Sequence, residues 1–140
     1  MTIKNKTSEN YSAKVSLSLL FLRIISGGFM LTHGLPKLQN FVHGPPFEFP
    51  DPIGIGVTAS LALTIFAEVI CAVLIIIGFL TRLATVPLII TMAVAAFIVH
   101  SQDALFIKEL PILYITIYLA IAIAGPGQIS IDKIESQKRR

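Results

Sequence analysis

One cysteine, Cys71, is all that 140 residues carry, so the chain by itself forms neither an internal disulfide nor a CxxC redox pair. Charge is scarce as well. Only 14% of residues are Asp, Glu, Lys or Arg against 54% hydrophobic, and the mean hydropathy is +0.81, outside the soluble range. A lipid bilayer must be the solvent. The polar and apolar alternation of a membrane β-barrel is missing. No HxxxH or ExxH spacing marks a metal site, so no bound metal is expected. No interleaving of basic and aromatic residues suggests nucleic acid, and no long period supports a repeat array or an inverted-repeat transporter. Cys71, in the middle of an apolar run, reads as a small hydrophobe.

What is present is four long apolar runs, at 15–35, 55–80, 83–99 and 110–124. A helix needs about 20 mostly apolar residues to cross the hydrocarbon core, and the two shorter runs imply tilt or local thinning. The expected fold class is an all-α membrane protein, a four-transmembrane-helix bundle at 13–127 between a polar, disordered or headgroup-bound tail at 1–12 and a basic tail at 128–140. The first run is long, contains Arg23 and lacks a small-x-small cleavage site, so it reads as a retained helix. Lys4, Lys6, Lys14, Arg82, Lys133, Lys138, Arg139 and Arg140 would share one side, leaving Lys37 and Lys108 on the other. The positive-inside rule then expects an inner-membrane protein with both termini cytoplasmic. The net charge of +3 reflects that topology and attraction to anionic lipids.

The connections carry most of the prolines. Pro45, Pro46, Pro50 and Pro52 break regular structure in a loop at 36–52, whose apolar side (Phe41, Val42, Phe47, Phe49) either folds back over the outer mouth or rests on the headgroups. Gly78 to Arg82 reads as a tight hairpin, with Gly78 ending one helix and Thr81 capping the next. Pro87 falls early in the third helix, which either starts late or kinks there. Pro111 fits the first turn of the fourth, with Glu109 favourable at its positive dipole end. Gly125-Pro126-Gly127 is a stop.

The candidate site lies among the few ionisable residues. Arg23, Gly27, Met30, Gly34 and Lys37 form one stripe if the first helix persists past Pro36. The glycines of that stripe also suit close helix packing. Thr64, Glu68, Cys71, Ala72 and Ile75 form the facing stripe. Arg23 and Glu68 are expected at matching depth, about 18 Å from the outer ends at about 1.5 Å per residue. An Arg23–Glu68 pair would lower the cost of placing either charge in the bilayer, and such a pair can also be purely structural. His33 is expected to end the first helix, His100 the third, and Glu109 to begin the fourth. All three would gather at the outer surface, suited to proton transfer or hydrogen bonding to a head group, while His43 is expected to be solvated in the loop.

Taken together, these residues resemble the DoxX family of small four-helix bacterial membrane proteins. The resemblance runs from Leu19 to Asp132. It is carried by Leu22-Arg23 with Gly27-Gly28, Thr32-His33-Gly34 and Lys37, Ala67-Glu68, Gly78 with Thr81-Arg82, Met92 with His100, Lys108-Glu109 with Tyr114, and Gly125-Pro126-Gly127 with Ser130 and Asp132. It implies an integral subunit or accessory of a quinone-linked redox system with a polar intramembrane site near the outer face. Arg23, Glu68, His33, His100 and Glu109 would be the acid–base set, and Arg23, Glu68, Lys37 and Tyr114 the quinone contacts. Membrane lipids, a peripheral redox protein and further copies of the chain are the implied partners. A non-catalytic scaffold for a peripheral protein is the alternative, and an oligomeric proton or solute path is a third reading.

Overall fold

A computed structural model describes residues 2–138, with side chains from Ala13 onward. The described backbone is helical, with no strand among the described residues. Helix α1 spans Thr2–His43, α2 Val57–Ile77, α3 Thr81–Val99 and α4 Leu105–Ala124. A short α5, Ile131–Lys138, follows. Residues 13–43 of α1 and all of α2, α3 and α4 are long and apolar enough to cross a membrane. The basic tail contains α5, and the backbone of residues 2–12 is helical and continuous with α1.

Burial is inverted relative to a soluble protein: Arg23 and Glu68 are 0% and 2% exposed, whereas Phe21 and Ile123 are 68% and 79% exposed. Hydrocarbon solvates the outward Phe and Ile side chains, while the polar groups must find partners inside the bundle. The central core is Met30, Cys71, Ala72, Ile75, Leu88, Tyr118 and Ile121 with their neighbours.

The glycine stripe of α1 lies against α2. A Cβ at Gly34 would stand 2.8 Å from Val69 Cγ2 and 2.9 Å from Glu68 Cβ, and one at Gly27 only 2.6 Å from Ile76 Cγ1. Both positions therefore set the helix separation, the packing role expected of small residues in membrane helices.

Two boundaries differ from the sequence reading. Helix α1 does not stop near Leu35 but continues through Pro36 to His43, which shortens the loop to residues 44–56. Pro36 removes one amide donor and disfavours helix at the preceding residue. Packing outweighs that cost: Leu38 and Phe41 seat against Leu61, Ile65 and Val69 of α2, with Phe47 and Phe49 of the loop covering the same cluster. Helix α4 starts at Leu105, so Pro111 and Glu109 lie beyond its first turn. Helix α3 starts at Thr81 and runs through Pro87.

The loop folds back over the bundle. Phe41 and Phe47 stack with ring centroids 5.5 Å apart. Asp51 fastens the loop to the start of α2: Oδ1 accepts from the Ile55 amide at 3.1 Å and from Ser60 Oγ at 2.8 Å, and Oδ2 from the Gly56 amide at 2.8 Å. These bonds tie the two amides just before α2 and a hydroxyl of its first turn to the loop. The Ser60 hydroxyl first, and then the Gly56 amide, hold the Asp51 carboxyl below the usual carboxylate range.

At the opposite end, the segment after α4 closes on the α2–α3 turn. Gly78 ends α2 at φ 71°, and the expected cap of α3, Thr81, is replaced by Asp132, whose carboxylate accepts from the Leu80 and Thr81 amides at 2.7 and 2.9 Å. A carboxylate from outside the helix thus meets its positive end.

Candidate functional site

The Arg23–Glu68 pair expected from the sequence does not form. Glu68 pairs with Lys37, whose Nζ donates to Oε1 at 2.6 Å and Oε2 at 2.5 Å. The reason is the continuation of α1. Twenty residues separate Arg23 from the helix end at His43, about 30 Å at about 1.5 Å per residue. Glu68 lies eleven residues from the start of α2 at Val57, about 17 Å by the same rise. Gly34 lies directly against Glu68, and the long side chain of Lys37, one turn further on, slopes back toward the helix N-terminus to reach the carboxylate.

Arg23 lies at the other end of the bundle. It is wholly buried, donates from Nη2 to the Ile129 carbonyl at 2.6 Å, and has Asp132 within electrostatic range. A Cβ at Gly78 would collide with its guanidinium. Arg23 ties the C-terminal segment to the α2–α3 turn and is not part of the site around Glu68.

Two chambers flank the Lys37–Glu68 pair. The first, about 300 Å³, lies under the loop between α2 and α3. Its walls are Phe49, Pro50, Pro52, Ile53, Leu63, Ile90, Val94 and Val99, and its polar end carries Lys37, Glu68, Ser60, Thr64, Thr91 and His100. Leu63 and Ile90 on its margin are each more than half exposed on the outer surface of the bundle, which opens this chamber toward lipid. The second, about 230 Å³, lies between α1, α3 and α4 and is lined by His33, Lys37, Glu68, His100 and Tyr114 with Met30, Met92 and Pro111 among its apolar walls. Lys37, Glu68, Ala95 and His100 border both.

The helices are irregular where they border these chambers. Residues Phe66–Cys71 of α2, including Glu68, and Ala95–Val99 of α3 adopt π-helical turns. Such widened turns occur mostly as single insertions in α-helices, often at functional sites. The second ends at His100, whose Nδ1 is 2.7 Å from Asp103 Oδ2, so the imidazole is oriented by a carboxylate. His33 stands edge-on to Tyr114 with centroids 6.2 Å apart, and Tyr114 stacks on Tyr118 at 5.9 Å.

Of the site residues expected from sequence, Glu68, Lys37, His33, His100 and Tyr114 come together. Arg23 does not, and Glu109 is exposed and lines neither chamber. His33 is not at a helix end but ten residues before it, and reaches the site sideways. His43 is exposed, with Nδ1 2.6 Å from the Gln39 carbonyl. Among the described residues, no three His, Cys, Asp or Glu side chains converge as a ligand set for a metal ion. Ser60, Thr91 and Asp103 were missed. Ser60 had a readable signal, the four-residue spacing Ser60, Thr64, Glu68 along one helix face; Thr91 and Asp103 had none.

A family model described as DoxX matches residues 18–101, more than half of the chain. Two uncharacterised proteins of Haemophilus influenzae are similar. One is 28% identical over 125 residues, covering 84% of this chain and 83% of the relative. The other is 29% identical over 121 residues, covering 81% and 87%. No solved structure matches.

Proposed function

The chain belongs to the DoxX family, and on that premise we propose that its first chamber binds the head group of a membrane quinone, as part of a quinone-linked redox system in the inner membrane. The observation that carries this reading is the lateral chamber itself, with apolar walls at the lipid side and a lysine–carboxylate pair at its polar end. A volume of about 300 Å³ is at the lower limit of small-molecule sites, suited to a head group whose isoprenoid tail stays between Leu63 and Ile90 in lipid.

The residues fit such a ligand by their donor chemistry. Lys37 supplies N–H donors on a flexible stem, His100 an imidazole, and Ser60, Thr64 and Thr91 hydroxyls that are neutral and short. A bound quinone would supply two-electron, two-proton chemistry, with the electrons drawn from a partner protein or a diffusible reductant. Lys37 would hold a carbonyl oxygen, Glu68 would carry a proton next to it, and His100, fixed by Asp103, would exchange protons with water at the loop end. The orientation that fits the positive-inside rule puts Lys14, Arg82, Lys133 and Lys138 at the cytoplasmic face and the loop end outside.

Mass spectrometry of lipid-soluble molecules co-purifying from native membranes tests this. Near-stoichiometric quinone with the wild type and its loss in Thr91→Trp, which fills the chamber without replacing either member of the ion pair, is the expected result. Equal quinone in both, or none in either, would remove the assignment.

A further inference from the structure

We propose that a ligand in the first chamber draws Lys37 away from Glu68, and that Glu68 takes up one proton through the second chamber in exchange. This rests on reading the first chamber as a quinone site. It adds a binding-linked proton that the redox chemistry does not require.

The two partners of the pair are held unequally. Both oxygens of Glu68 accept from the one Lys37 nitrogen, and among the described residues no other hydrogen-bond donor reaches them. The Glu68 side chain is 3% exposed and that of Lys37 30%. Lysine can therefore redirect its ammonium at the chamber wall, while the carboxylate has no route to bulk water.

A carbonyl oxygen placed in the first chamber competes with Glu68 for the same ammonium. If Lys37 turns to it, the carboxylate is left in a low-dielectric interior without a counter-charge, a state far more costly than the neutral acid. A proton is the compensation at hand.

The groups facing Glu68 set where that proton comes from. From α1 come Lys37 and His33; from the end of α3, His100 with Asp103 behind it; from α4, Tyr114, with Tyr118 within electrostatic range. From its own helix come the hydroxyls of Ser60 and Thr64. Lys37 is the ion-pair partner of Glu68 in this set. His33, His100 and Tyr114 can pass a proton and line the second chamber together with Glu68, so ligand and proton approach the pair from different sides.

The test is calorimetric titration of the full chain in nanodiscs with a short-chain benzoquinone analogue, in buffers of different ionisation enthalpy and across neutral pH. Wild type should take up about one proton per ligand, and binding should weaken about tenfold for each unit rise in pH, since a step that consumes a proton loses driving force as pH rises. Glu68→Gln should bind with no proton uptake and no pH dependence. Lys37→Met, a second variant should the first not fold, should bind more weakly and also without uptake. Wild-type binding that is pH-independent and releases or consumes no proton would overturn the exchange while leaving the quinone site standing. Uptake that persists in Glu68→Gln would overturn it in favour of a histidine, and no binding of the analogue by wild type would overturn both.

Discussion

Replacing Lys37 with Met should leave a carboxylate that is 3% exposed without its counter-charge, and the loss can be bounded. Breaking a buried ion pair by removing one partner costs about 3 to 5 kcal/mol. Lys37 is 30% exposed, so water already screens part of the interaction, and the lower value, about 3 kcal/mol, is the better expectation. Glu68→Gln removes the charge that cannot escape and leaves a lysine that can reach the mouth, for a loss of about 1 kcal/mol. The double variant should resemble Glu68→Gln alone, because the stranded charge is gone. The single buried thiol supplies the assay: Cys71 is 1% exposed, so a thiol-reactive dye reports its exposure on heating in detergent. Lys37→Met should lower the melting temperature by on the order of 10 °C, and the second substitution should restore most of it. A Lys37→Met protein that melts with wild type, or a double variant as unstable as the two losses added, would refute the stranded-charge reasoning.

Gly34→Ala should cost about 1 to 3 kcal/mol by overpacking against Glu68 and Val69, whereas Gly28→Ala, where a Cβ meets nothing within 4 Å, should stabilise by up to about 1 kcal/mol; the same melting assay separates them. Asp132→Ala should lose about 0.5 to 2 kcal/mol of capping at α3 and speed tryptic cleavage at Lys133, read by mass spectrometry. Folding holds the Asp51 carboxyl below its ordinary value, so its contribution is present above the unfolded-state pKa and lost as pH falls through the lower folded value. Protease protection of residues 44–56 should therefore persist at mildly acidic pH and fail in stronger acid, and Asp51→Asn should weaken it even at neutral pH.

The four membrane helices were legible because a run of apolar residues long enough to span lipid leaves the backbone little choice but helix. The end of α1 was not. Pro36 is a local stop signal, and only the contacts of Leu38 and Phe41 with α2 override it, a tertiary effect that no window along the chain contains. That one boundary decided the ion pair, since depth was counted from the helix end, and it exchanged Lys37 for Arg23 as the partner of Glu68. The same residues that carried the family resemblance divide into two groups in space. Glu68, Lys37, His33, His100 and Tyr114 surround the chambers, while Arg23, Gly78, Thr81, Ser130 and Asp132 fasten the opposite end. Spacing along the sequence showed which residues were unusual for a membrane helix but not which end each served.

Photoaffinity labelling of the purified protein with an azido-quinone, followed by peptide mapping, asks whether quinone occupies the first chamber. Label should fall on the loop residues Phe49 to Ile53 and on the walls at Leu63, Ile90 and Val94, and excess unlabelled quinone should remove it. Label confined to the open groove of Leu17, Ser18, Phe21, Leu22 and Ile25 on the outside of α1, or spread without competition over the lipid-facing surface, would contradict it.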